Sequence, residues 1–159
     1  MKRLSTLLSS EWLTVRVQIA LGVFFVVAAL PKVVDPPSFA HMVYNYRILP
    51  GPFVNLLALV LPWFELLCGV GLVLGIWRRT AAAWVGVLLL VFIAGISFNL
   101  ARGNAIDCGC FDPKSSGKSV EERLLDMRMV VVRDLGMLFM VAQILHSTRA
   151  RAGNERTAT

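Results

Sequence analysis

The sequence predicts an all-α integral membrane protein, folded as a four-helix bundle, on three observations. Hydrophobic residues make up 57% of the 159, and mean hydropathy is +0.68, well above the level of a soluble domain. Four apolar segments are each long enough to cross roughly 30 Å of hydrocarbon as a helix, which takes about 20 residues. No segment alternates in the way of a membrane barrel, and only helices and closed barrels satisfy every backbone group in lipid.

The spans are expected at 15–34, 53–76, 80–100 and 129–147, within one domain of residues 1–148 followed by a polar, frayed tail at 149–159. The first stretch, Met1 to Glu11, holds Lys2 and Arg3 without a compact apolar core ending in a small-residue cleavage site, so no removable signal peptide is read. A tight turn, Trp77-Arg78-Arg79, joins spans two and three. The other two connections are long, and the second, residues 101–128, carries the pentad Asp107-Cys108-Gly109-Cys110-Phe111. Beyond it, Ser119-Val120-Glu121-Glu122 is the signature of a Ser-capped amphipathic helix leading into span four.

Four crossings return the chain to its starting side. The end of span one, the start of span two, the end of span three and the start of span four therefore share one membrane face. That gathers Lys32, Asp35, Tyr44, Tyr46, Arg47, Asn99, Arg102, the cysteine loop and Arg133 at one surface, whichever way the protein is inserted. Cations lie densely on short segments at the other face (Lys2, Arg3, Arg16, Arg78, Arg79, Arg149, Arg151), which points to cytoplasmic termini and a periplasmic cysteine loop in the inner membrane. The net charge of +6 is accounted for by membrane-flanking cations; no basic stripe interleaved with aromatics suggests nucleic acid.

Three cysteines cannot all pair within one chain. Cys68 lies inside an apolar run, where it reads as a small core residue, leaving Cys108 and Cys110 as the couple. A disulfide between them needs a sharp bend at Gly109, and a strained, exposed bridge exchanges readily. Three readings follow: a dithiol switch with Cys108 and Cys110 as the reacting pair, a static loop staple, or metal ligation. The last lacks ligands, since a closed zinc site wants four and the histidines are His41 and, at the opposite face, His146, so no metal is predicted.

Glu65 falls near the middle of span two, where an ionised carboxylate costs about 2.5–3.5 kcal/mol on insertion scales, so it must face the bundle. It sits one turn after Pro62 and three residues before Cys68 on one helical face. It could relay protons, bind a quinone or substrate group, or pair with Lys32 or Arg133. Arg133 and Asp134 are adjacent, so their side chains leave the helix about 100 degrees apart and are not expected to face each other; at least one should turn inward. Arg133, like Lys32, could either snorkel to the surface or support the site by stabilising a thiolate or reaching Glu65. Gly69, Gly71, Gly75, Gly86 and Gly95 mark spans two and three as small-residue surfaces for close helix approach.

In order and spacing the chain resembles the MauE family of methylamine-utilisation membrane proteins, within the DoxX-like four-helix group. The resemblance rests on Gly22-Val23-Phe24, Lys32 and Asp35-Pro36, then Pro62, Glu65 and Gly69, then Asn99 to Gly103, the Asp107-Cys108-Gly109-Cys110-Phe111 loop and Arg133-Asp134. It implies a role in processing, export or maturation of the small, disulfide-rich subunit of periplasmic methylamine dehydrogenase, by helping its disulfides form. The partners expected are the bilayer and a periplasmic client or redoxin, with self-association left open. No cofactor is firmly predicted; a quinone in the bundle could be the final electron acceptor, on architectural analogy alone. Two competing functions remain: a membrane scaffold or chaperone that only docks a client, and a small proton-linked transporter using Glu65.

Overall fold

A computed structural model describes residues 11–47, 50–103 and 119–157. Every regular element among them is a helix: α1 (Glu11–Val34), α2 (Pro36–Asn45), α3 (Gly51–Leu74), α4 (Arg78–Ala101) and α5 (Val120–Thr157). Four of these, all but α2, are long and apolar enough to cross a membrane. Their outward faces carry large apolar side chains, among them Leu56, Leu59, Trp63 and Leu67 on α3, the arrangement a lipid environment stabilises.

A helix overlies each of the four expected spans, with ends that differ from those expected. Helix α1 is already formed at Glu11, the first described residue, and α5 runs unbroken from Val120 to Thr157, so the amphipathic approach, the span at 129–147 and the residues beyond it form one helix. Its start is a capping box. Ser119 Oγ accepts from the Glu122 amide at 3.3 Å, while the Ser119 amide donates to Glu122 Oε2 at 2.8 Å, satisfying two donors that a helix end leaves open.

Helix α2 lies in a connection from which no helix was expected. Asp35 caps it by accepting from the Ser38 amide (3.2 Å) and the Ser38 hydroxyl (2.6 Å), and proline occupies the first turn, where its missing N–H costs nothing. The turn between α3 and α4 also differs in register. Gly75 closes α3 in the left-handed region (φ 71°), with its own amide on the Leu72 carbonyl and the Ile76 amide on the Gly71 carbonyl. Trp77 is left-handed too, and Arg78 and Arg79 already belong to α4.

Helices α1 and α3 form the closest crossing. A Cβ on Gly22 would lie 2.8 Å from the Gly69 carbonyl oxygen, and one on Gly69 would lie 3.0 Å from the Gly22 carbonyl oxygen and the Val26 amide. Glycine at both positions lets the backbones touch. Of the glycines marked by sequence, Gly69 makes this contact; Gly71 has ordinary 3.7 Å neighbours, and Gly22, not read as packing, is the partner. Leu21, Phe25, Leu72, Ala82, Val85, Leu89, Val141 and Ile144 join the helices into one core, and Phe64 meets Trp84 edge to face at 5.3 Å between α3 and α4.

Candidate functional site

Four charged side chains from three helices converge inside the bundle. Lys32 of α1 and Glu65 of α3 are 6% and 2% exposed, and the Lys32 ammonium donates to both carboxylate oxygens, at 2.8 and 3.0 Å. The ammonium is also flanked by two rings, 5.1 Å from the Phe92 centroid and 5.3 Å from that of Phe39. Contacts of this kind contribute about 0.5–2 kcal/mol, towards the upper end when desolvated. Phe39 comes from α2, so the unexpected helix lies over the lysine. Of the two cations open to Glu65 as a partner, Lys32 is the one that pairs with it.

Arg133 and Asp134 do bond, against the expectation from their helical directions. Asp134 turns inward and is buried, and the long arginine side chain curls round so that Nε and Nη2 donate to Asp134 Oδ1 at 3.0 and 2.9 Å. The reach of three methylenes and a planar guanidinium overcomes the angular separation at Cβ. Its Cζ stands 5.0 Å from the Phe24 ring centroid of α1.

Both pairs line one cavity of about 40 Å³, walled also by Phe24, Ala28, Tyr46, Phe92 and Met137. Asn99 ties the nearby end of the bundle together by donating to the Tyr46 carbonyl at 3.3 Å and to Gly95 of its own helix at 3.1 Å. This supports the deduction that the ends of α1 and α4 share a face. Phe39 and Phe92 escaped notice in the sequence. Phe92 had a signal, because Phe92, Ile96 and Asn99 fall on one helical face and Asn99 is polar.

A second buried polar group sits toward the other end. Gln18 of α1 donates to the Leu72 carbonyl of α3, and both residues are almost fully buried. Sequence reading passed over Gln18, an isolated polar residue between apolar turns. Cys68 is buried with a free thiol, as its apolar setting required. Cys108, Gly109 and Cys110 lie outside the described residues. Among the described residues no group of His, Cys, Asp and Glu could hold a metal ion.

A helical membrane protein with a charge-balanced cavity among its spans is the class these features define. The chain belongs to the MauE family: the family described as methylamine utilisation protein MauE matches residues 10–147. It is 39% identical to methylamine utilization protein MauE of Paracoccus denitrificans over 121 residues, 76% of this chain and 64% of that protein. It is 40% identical to the protein of the same name from Methylorubrum extorquens, over 66% of this chain and 57% of the relative. A more distant relative, Protein TlpB of Flavobacterium psychrophilum, is 31% identical over 64% of this chain and 30% of its own length. The chain thus spans less than two thirds of the curated relatives it matches. No solved structure matches it.

Proposed function

We propose that this protein lies in the inner membrane with both termini cytoplasmic and supports thiol–disulfide chemistry in the maturation of a periplasmic client. Cys108 and Cys110 form the reacting pair, with Gly109 providing the bend. A client thiolate attacks the Cys108–Cys110 disulfide, releasing one cysteine as a thiolate and joining the client to the other; a second client thiolate then displaces it, so the client gains the disulfide, the pair is left as two thiols, and a redoxin disulfide reoxidises it by the same exchange. Lys32, Glu65, Arg133 and Asp134 support the bundle end from which the cysteine segment leaves. The names of the MauE relatives suggest methylamine utilisation as the setting, with the small subunit of methylamine dehydrogenase as the client the family resemblance implies.

The observation that carries the reading is the position of Cys108-Gly109-Cys110 in the chain. They fall between the end of α4 and the start of α5, while Cys68, the remaining cysteine, is buried in the helix core. The test is labelling of intact cells with a maleimide that cannot cross the inner membrane, before and after mild reduction, combined with Cys108→Ser and Cys110→Ser. Labelling that appears only after reduction, and a trapped adduct in one single variant, are the expected results. Labelling only in opened cells would overturn the topology. Client disulfides that form normally in both variants would leave the protein a docking scaffold.

A further inference from the structure

The cavity between the two ion pairs is used by no step above, and three of its properties decide what it can hold. Its volume, about 40 Å³, is room for about three waters at 10–15 Å³ each. It is well short of the roughly 150 Å³ that admits a benzene ring, so water is the guest that fits it as it stands. Its charge is balanced, with Lys32 and Arg133 against Glu65 and Asp134; an ionic guest would bring an uncompensated charge to membrane depth. Most of its wall is apolar, but Lys32, Glu65, Arg133 and Asp134 all line it and supply the two to four partners a water needs. Lys32 has a third ammonium proton beyond the two given to Glu65, and each carboxylate can accept up to about four hydrogen bonds.

We propose that this cavity is a hydrated proton-exchange site. Two or three waters join Lys32–Glu65 to Arg133–Asp134, and a carboxyl proton equilibrates through them with the membrane face at which α1 and α4 end. The titratable and charged groups facing Glu65 are Lys32 from α1, Arg133 and Asp134 from α5, Tyr46 from the segment after α2, and Cys68 one turn along α3. Helix α4 contributes Leu89, Phe92 and Ile96, which do not titrate. Tyr46, just after α2, and Lys32, near the end of α1, both line the cavity. The thiol reading is not needed for this assignment, nor does it need the assignment.

The test is water-edited solid-state NMR on the full chain in lipid bilayers with carbon-labelled carboxyl groups, the two signals being identified by their loss in Glu65→Gln and Asp134→Asn. Transfer from water to the Glu65 and Asp134 carboxyl carbons should build up severalfold faster than to Leu72 and Ile144, which are fully buried away from the cavity. At least one carboxyl shift should follow bulk pH. Ala28→Val, which adds two methyl groups to the cavity wall without touching a charge, should cut the transfer at least threefold. If that variant does not fold, the native protein decides alone. Carboxyl carbons no faster than the two controls, or hydrated carboxyls whose shifts ignore bulk pH, would overturn the assignment. A Cys108→Ser, Cys110→Ser variant keeps both signals, so loss of the thiol activity and loss of the proton site are separately visible.

Discussion

Gly69 and Gly71 stand two residues apart in α3, and the same substitution should have different consequences at each. At Gly71 a new Cβ would meet Ala81 Cβ and the Ile76 carbonyl oxygen at 3.7 Å, ordinary contact distance. Gly71→Ala therefore adds a methyl group that makes ordinary contacts and gains helix propensity, up to about 1 kcal/mol. At Gly69 the new Cβ would lie 3.0 Å from the Gly22 carbonyl oxygen and the Val26 amide nitrogen, both backbone atoms of α1. Neither can rotate away, so the two helices must separate, and overpacking of this kind costs typically 1–3 kcal/mol. Propensity is common to both variants and cancels in their difference, leaving the steric cost; Gly69→Ala should be the less stable by about 1–3 kcal/mol. Reversible unfolding of the purified protein in mixed micelles, titrated with a denaturing detergent, measures that difference. Equal stabilities would refute the crossing at Gly22 and Gly69.

The buried ion pair should behave asymmetrically: Lys32→Met alone should cost about 3–5 kcal/mol because Glu65 is left buried without its partner, whereas Lys32→Met with Glu65→Leu should recover most of that loss in the same unfolding assay. Removing the Ser119 cap with Ser119→Ala should destabilise the first turn of α5 by about 1 kcal/mol, visible as faster hydrogen exchange of the Glu121 to Arg123 amides while exchange at Val141 is unchanged. Gly69→Ala and Lys32→Met should be non-additive by about 0.5–3 kcal/mol when combined, since both act on the pairing of α1 with α3; strict additivity would show that the glycine contact and the ion pair are independent.

Most of the architecture was legible because a membrane fold is written in long apolar runs, and four such runs leave few alternatives. The inward orientation of Glu65 could also be deduced, since an ionised group at that depth has nowhere else to go. Its choice of Lys32 over Arg133 could not, because that depends on which helices cross and at what level. The Arg133–Asp134 bond was misjudged because a rule about Cβ directions was applied to a side chain long enough to bend round. Helix α2 was passed over although Asp35-Pro36-Pro37-Ser38 holds a cap and a helix-starting proline; beside long apolar spans, ten residues with only Phe39 buried leave little hydrophobic signal.

The glycine crossing and the ion pair follow from one geometry. Gly22 and Gly69 fix the level at which antiparallel α1 and α3 meet, which puts the Lys32 backbone about six residues, or roughly 9 Å, past the level of Glu65. That gap closes because side chains on a helix lean toward its N-terminus. In an antiparallel pair the two leans are opposed: Lys32 reaches back along α1 toward the crossing, and Glu65 reaches back along α3 toward the lysine. The same pairing on a parallel crossing would send both side chains the same way and leave the gap open. A lysine at the end of one span can therefore satisfy a carboxylate near the middle of another only because small residues one or more turns away let the backbones touch. The charged cavity is thus held in place by the apolar packing beside it.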